Sequence, residues 1–313
     1  MAAGALVATS QVRAGLDRPG GELAGCRLVS MMVAAKSVHS HSRNKEQTMK
    51  VYISADIEGV TGVTHGDETN LEKEDSKISR EQMTAEVVAA CEGALQAGAT
   101  EIWVKDAHWT ARNIIASKLP KEARLIRGWS GHPFMMIQEL NETFQAVLLV
   151  GYHSRAGAAT NPLAHSMTGA ATGILLNERF ASEFLIHAYA AASLGIPVAF
   201  VSGDQGLCDE VAQLNPAIGT VGVKQGIGNS TVNLHPEVAT ARIREGVAQA
   251  LKGDLSRCQM PLPDHFRVEV RYKDASPAYR NGFYPGARQT DATTVVFEED
   301  SYFEVMRFLL FVL

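Results

Sequence analysis

The sequence predicts an α/β fold: a mainly parallel sheet with flanking helices, plus a smaller C-terminal α+β portion. Three observations carry this. From Met49 onward, short apolar runs alternate with longer segments whose apolar residues recur at helical spacing, the βαβ rhythm of a parallel sheet covered by helices. Between the strand-like runs FQAVLLVGYH and PVAFVSGD stands the helical stretch SEFLIHAYAAASLG. Beyond Pro261 and Pro263 the rhythm changes to two strand-like runs and one closing helix.

Taken in order, KVYISAD (50–56) reads as a strand. The stretch from about Ser79 to Ala97 reads as a helix, because MTAEVVAACEGALQAG keeps apolar residues on one face and Gly98 closes it. EIWVKDAH (101–108) and FQAVLLVGYH (144–153) are the next strands. SEFLIHAYAAASLG (182–195) is a helix, PVAFVSGD (197–204) a strand, and HPEVATARIREGVAQALKG (235–253) a helix. FRVEVRYK (266–273) and TTVVFEE (293–299) are strands, and Ser301 to Leu313 forms the last helix. This organisation assigns 49–262 to an α/β domain and 263–313 to the small C-terminal portion. Residues 1–48 are rich in Ala, Gly, Ser and Arg without sustained period and are expected to be a disordered extension. Their Arg and Ser content suits a transit peptide, but Asp17, Glu22 and Glu46 count against one. His39 and His41 stand in that segment and are read as incidental.

Composition narrows the function. The chain has 313 residues and a formal net charge of -5, and residues 49–313 alone hold 23 basic against 31 acidic side chains. That balance argues against a nucleic-acid partner. The four cysteines, Cys26, Cys91, Cys208 and Cys258, are scattered without a CxxC pair, which fits a reducing cytoplasm. No apolar run approaches the roughly 20 residues needed to cross a bilayer, so no membrane partner is expected. Neither GxGxxG nor GxxxxGK[ST] follows a strand, which speaks against a nucleotide cofactor.

In open α/β sheets, ligands bind beyond the carboxyl ends of the strands. Here those ends carry acids and histidines: Asp56 followed by Glu58, then Asp106 and His108, then His153, then Asp204. Two His with two or three carboxylates from separate strands make an N/O ligand set suited to zinc or a similar divalent ion. Each residue also has a plainer reading, since Asp56 alone could cap a helix and a lone His is commonly a hydrogen-bonded structural residue. Their shared placement is what favours a metal. His65, His132 and His235 lack that placement and are read as structural; His187, one helical turn after Glu183, is a spare ligand candidate.

ADIEGVTG, VKDAHW, GYHSRAG, AHSMTG and NERFASEFLIHAYAA together resemble, in order and spacing, the signature segments of the M55 family of zinc D-aminopeptidases. The similarity runs from Met49 to near the C-terminus. It implies two zinc ions per subunit, with Asp56, Glu58, His108, His153 and Glu183 as ligands, and it adds Glu183, which the strand ends do not reveal. It also implies that His165 is the catalytic histidine, as nucleophile, proton shuttle or oxyanion donor, and that the subunits form a homo-oligomeric ring, commonly a decamer. The activity so implied is hydrolysis of short peptides with an amino-terminal D-residue, such as D-Ala-D-Ala, by a water activated between two metals. Two other readings fit the same residues: a two-metal amidase or phosphoesterase, and a metal-loaded peptide-binding module without turnover. Around Lys224 the sequence VKQGIGNST departs from a pattern in which family members can carry a basic residue at 228 or 229, which leaves selectivity at one substrate end open.

Overall fold

The computed structural model describes residues 49–313; the expected extension 1–48 lies outside the described residues. In chain order the strands are β1 (Met49–Ala55), β2 (Ala99–Asp106), β3 (Ala123–Ile126), β4 (Ala146–Tyr152), β5 (Ala171–Leu176), β6 (Arg179–Phe180), β7 (Val198–Asp204), β8 (Gly219–Ile227), β9 (Ser230–Asn233), β10 (Phe266–Tyr272), β11 (Arg288–Gln289) and β12 (Thr294–Glu299). The helices are α1 (Gly66–Thr69), α2 (Ser76–Gln96), α3 (Glu183–Ser193), α4 (Gln205–Leu214), α5 (Pro236–Lys252), α6 (Ala275–Asn281) and α7 (Tyr302–Val312).

Seven strands form the main sheet in the order β3-β2-β1-β4-β7-β8-β9, parallel throughout except for the β8–β9 hairpin. The chain leaves β1 for β2 and β3 on one side and returns to place β4 on the other. The strand order therefore reverses between β1 and β4, the place where an open α/β sheet leaves a crevice for ligands. Both faces of the sheet are covered. Val51, Ile53 and Ala55 of β1 join one core with Met83 and Val87 of α2 and Ile243 and Val247 of α5. Tyr52, Val147 and Leu149 join a second core with Phe184 of α3, Val268 and Val270 of β10, and Phe308 and Leu309 of α7. The closing apolar helix is thus a core element.

The second sheet is antiparallel, in the order β11-β12-β10-β5-β6. It draws β5 and β6 from 171–180, so residues 263–313 do not build it alone. β10 alternates buried and half-buried residues, and its central position requires a hydrogen-bonded neighbour on each edge; β12 supplies one and β5 the other. Several elements escaped the sequence reading. β3 has only four residues and β6 and β11 two each, too short for periodicity to register, and β8 holds three glycines, which lower strand propensity. Among the described residues no helix is long and apolar enough to cross a membrane.

Candidate metal centre

Six acids and histidines from five chain segments converge near the carboxyl ends of β1, β2 and β4. The convergence begins with backbone. After β1 the chain turns so that the Asp56 amide donates to the Val150 carbonyl at 2.9 Å and the Gly59 amide to the Gly151 carbonyl at 2.8 Å. A Cβ on Gly59 would lie 1.7 Å from the Tyr152 carbonyl oxygen, so the turn following Asp56 and Glu58 can press against β4 only with glycine at 59. That contact sets Asp56 beside His153, the residue after β4.

Asp56 faces two histidines at once. Its Oδ1 is 3.2 Å from His108 Nδ1, and its Oδ2 is 3.4 Å from His153 Nε2. Glu58 Oε2 lies 2.9 Å from the same His108 nitrogen, and Glu183 Oε2 lies 3.5 Å from His153 Nε2. His165, half-buried, stacks on His153 with ring centroids 4.4 Å apart and places Nε2 3.6 Å from Glu183 Oε1. The result is two triads of potential donors, Asp56–Glu58–His108 and His153–His165–Glu183, with the Asp56 carboxylate reaching from one to the other.

Each imidazole is oriented by its other nitrogen. His108 Nε2 meets the Thr69 carbonyl at 3.1 Å, His153 Nδ1 the Ser154 carbonyl at 2.9 Å, and His165 Nδ1 the Leu163 carbonyl at 2.9 Å. A carbonyl can only accept, so that nitrogen carries the hydrogen and the opposite nitrogen turns a lone pair toward the carboxylates. Metal-binding histidines are oriented in this way. It leaves lone pairs facing lone pairs: Glu58 Oε2 and His153 Nε2 are buried without a hydrogen-bond partner. A cation, either a proton or a metal ion, resolves the conflict.

Without a metal the protons must do so, and the charges show the strain. Burial pushes the Asp56 carboxyl well above its usual range, and the neighbouring Glu58 adds to it. For Glu58 burial pushes the same way, but His108 outweighs it and holds that carboxyl well below its usual range. Burial pulls the His153 imidazole down, yet Glu183, Asp56 and Glu58 together lift it to about 10. Burial raises Glu183, and His153 overrides it to leave that carboxyl at about 2. Glu183 opens α3, capped by Ser182, where the positive helix end also favours a carboxylate, and its Oε1 accepts the Met167 amide at 2.7 Å. The donor set of carboxylate oxygens and neutral imidazoles therefore fits a divalent ion, and Asp56 faces both triads.

The family model described as D-aminopeptidase, peptidase M55, matches residues 49–311. The chain belongs to this family. A curated family relative, the D-aminopeptidase of Bacillus subtilis (strain 168), is 34% identical over 175 residues, 56% of this chain and 63% of the relative's length, so the aligned region spans less than two thirds of it. Among solved structures, the Zn-dependent D-aminopeptidase DppA from Bacillus subtilis, described as a self-compartmentalizing protease, matches with a TM-score of 0.79 and 30% identity over 84% of this chain and 96% of that one.

Within this M55 chain, two of the acids at strand ends stand apart from the cluster. Asp106 is fully buried and accepts the Asn113 amide at 2.5 Å, the Ile114 amide at 2.7 Å and the Asn113 side-chain amide at 2.9 Å. Asp204 caps α4 by accepting the Leu207 amide, and it also accepts the Ser154 amide, the Ser154 hydroxyl and the Asn161 side chain. Both carboxylates are saturated by donors and act as braces. His187 is buried one turn behind Glu183, with Nδ1 on the Glu183 carbonyl at 2.7 Å, and burial lowers its imidazole to about 4; it belongs to neither triad. His65, His132 and His235 accept nearby backbone amides at turns and helix starts.

Two residues that the sequence reading did not assign support the turn from behind. Lys224 Nζ donates to the Glu58 and Val63 carbonyls, each at 2.5 Å, and Asn161 donates to the Glu58 carbonyl at 3.0 Å. Burial lowers the Lys224 ammonium to about 8. No periodicity marks such residues; a lysine inside an apolar strand, VGVKQ, is the one local hint.

Proposed function

We propose that this M55 chain is a zinc-dependent aminopeptidase that removes D-residues from the amino end of short peptides. The observation that carries the reading is the Asp56 carboxylate set between two histidine-containing triads. Asp56, Glu58 and His108 would hold one ion, and Asp56, His153 and Glu183 the second. Zinc bound there supplies Lewis acidity for the scissile amide and lowers the pKa of water. The side chains do the remaining work. Glu58, whose Oε2 has no hydrogen-bond partner, can hold the substrate's free ammonium besides binding metal. His165 has one nitrogen tied to the Leu163 carbonyl and lines the cavity with the other, so Nε2 can take a proton from water as a base and, once protonated, pass it to the leaving amine or donate to a developing oxyanion.

The name of the matched Bacillus structure, a Zn-dependent D-aminopeptidase, supports both metal and substrate class, and its description as self-compartmentalizing supports a homo-oligomeric ring. A reducing compartment such as the cytoplasm is supported by Cys91, Cys208 and Cys258, all free buried thiols. A phosphoester substrate fits less well, because among the described residues no Lys or Arg side chain lines the cavity.

Release of D-Ala from D-Ala-D-Ala, abolished by a chelator and restored by zinc, is the expected result. Preferential hydrolysis of the all-L dipeptide, or full activity after zinc removal, would overturn the proposal.

A further inference from the structure

The cavity above the two triads holds about 530 Å³, and one of its walls is apolar: Trp109, Trp129, Met136 and Met167. Two features mark that wall as built. Trp109 and Met167 have left-handed backbones, with φ of 47° and 64°, which bulky side chains adopt at a cost. The indole of Trp129 is fixed twice, its N–H donating to the Trp109 carbonyl at 2.6 Å and its face lying 3.9 Å from the Lys105 ammonium. Lys105 is itself anchored to the Asp106 and Gly128 carbonyls at 2.6 and 2.8 Å. Even so, both indoles keep large exposed surfaces, 59% for Trp109 and 43% for Trp129.

We infer that this wall is a subsite for the side chain of the substrate's amino-terminal residue, and that it selects bulky apolar or aromatic side chains over alanine. The inference rests on the aminopeptidase reading for its substrate. Trp109 directly follows His108, so the wall begins at the Asp56–Glu58–His108 end of the cavity, where Glu58 can hold the ammonium. The side chain leaves the carbon that carries that ammonium and so reaches the indoles first. An exposed aromatic pair of which one indole is already held in place gains by covering its surface with apolar substrate, since less ordering is left to be done on binding. An alanine methyl would leave most of it in water.

The test compares kcat/KM for dipeptides opening with D-Phe, D-Leu and D-Ala, with zinc content measured alongside. The zinc-loaded wild type should favour D-Phe and D-Leu over D-Ala by about tenfold or more, the discrimination that a hydrophobic pocket achieves. Trp109→Ala should collapse that ratio at full zinc content, and Trp109→Phe should restore most of it. Equal loss on all three peptides, an unaltered ratio, or a changed oligomeric state without changed selectivity would overturn the subsite. Indole fluorescence separates this outcome from failure of the aminopeptidase reading. If no peptide is cleaved but D-phenylalaninamide quenches saturably and D-alaninamide does not, hydrolysis falls and the subsite stands. If neither amide quenches, the subsite falls.

Discussion

The acids at the ends of the parallel strands meet two different fates. Asp106 and Asp204 each collect several donors, two of them backbone amides in each case, and hold neighbouring loops in place. Asp56 and Glu58, at the same sheet edge and also buried, instead face imidazole nitrogens and each other; Asp56 accepts the one amide of Ile57, and Glu58 Oε2 and His153 Nε2 go without a partner. A carboxylate satisfied by amides is a finished structural element. One satisfied only by a cation is a binding site, because its desolvation remains uncompensated until the cation arrives. Burial and sequence position do not distinguish the two groups; the identity of the donors does.

Substitutions can break this contrast most forcefully at the cluster. His108→Ala or His153→Ala should lose zinc by elemental analysis and nearly all activity, since each removes one of the imidazoles that face the Asp56 carboxylate. Full zinc content in both variants would remove the ligand assignment. The next largest effect belongs to His165→Ala, expected to retain zinc and lower kcat by roughly 10²–10⁴, the range for a lost acid or base. Joint loss of zinc and activity would make His165 a ligand of the second triad, and near-normal turnover would remove it from the chemistry.

Braces should respond oppositely. Asp106→Ala leaves the Asn113 and Ile114 amides buried without an acceptor, at a cost of about 3 kcal/mol in unfolding free energy. The refolded variant should still bind zinc. Zinc loss at unchanged stability would place Asp106 with the cluster after all.

Glu86 is an intermediate case and the smallest effect. One of its oxygens accepts the Thr61 amide at 3.0 Å and the other is buried without a partner, but no histidine stands beside it. Burial raises its carboxyl from 4.5 to about 7, despite the opposing Thr61 amide, Gln82 and Lys224. A folded-state pKa above the unfolded one means that the protonated form is favoured by folding. That stability is fully present below about pH 4.5 and fades as pH rises through about 7, a change on the order of 3 kcal/mol. Glu86→Gln should flatten the decline of melting temperature between those pH values, and an unchanged slope would assign it to other groups.

Much of this was legible in residue order. The strand leading to Asp56, the histidines ending VKDAH and VGYH, and the apolar face of α5 all follow from periodicity, because strands and helices repeat over distances shorter than the segments themselves. The motif segments identified the family and pointed to Glu183 and His165. The short strands β3, β6 and β11 and the pairing of β5 with β10 were not legible, since pairing joins residues as distant as Leu176 and Val268.

The sequence by itself determined that acids and histidines gather at one edge of a parallel sheet, because strand direction and turn glycines are local properties. Only the tertiary structure showed that Asp106 and Asp204 are saturated by donors while Asp56 and Glu58 face imidazole nitrogens. It also made Trp109 and Trp129, 20 positions apart, into a single wall of the cavity. The physical reason is the same in each case: a carboxylate or an indole has its role set by the donors, acceptors and charges that face it, and those arrive from segments far along the chain.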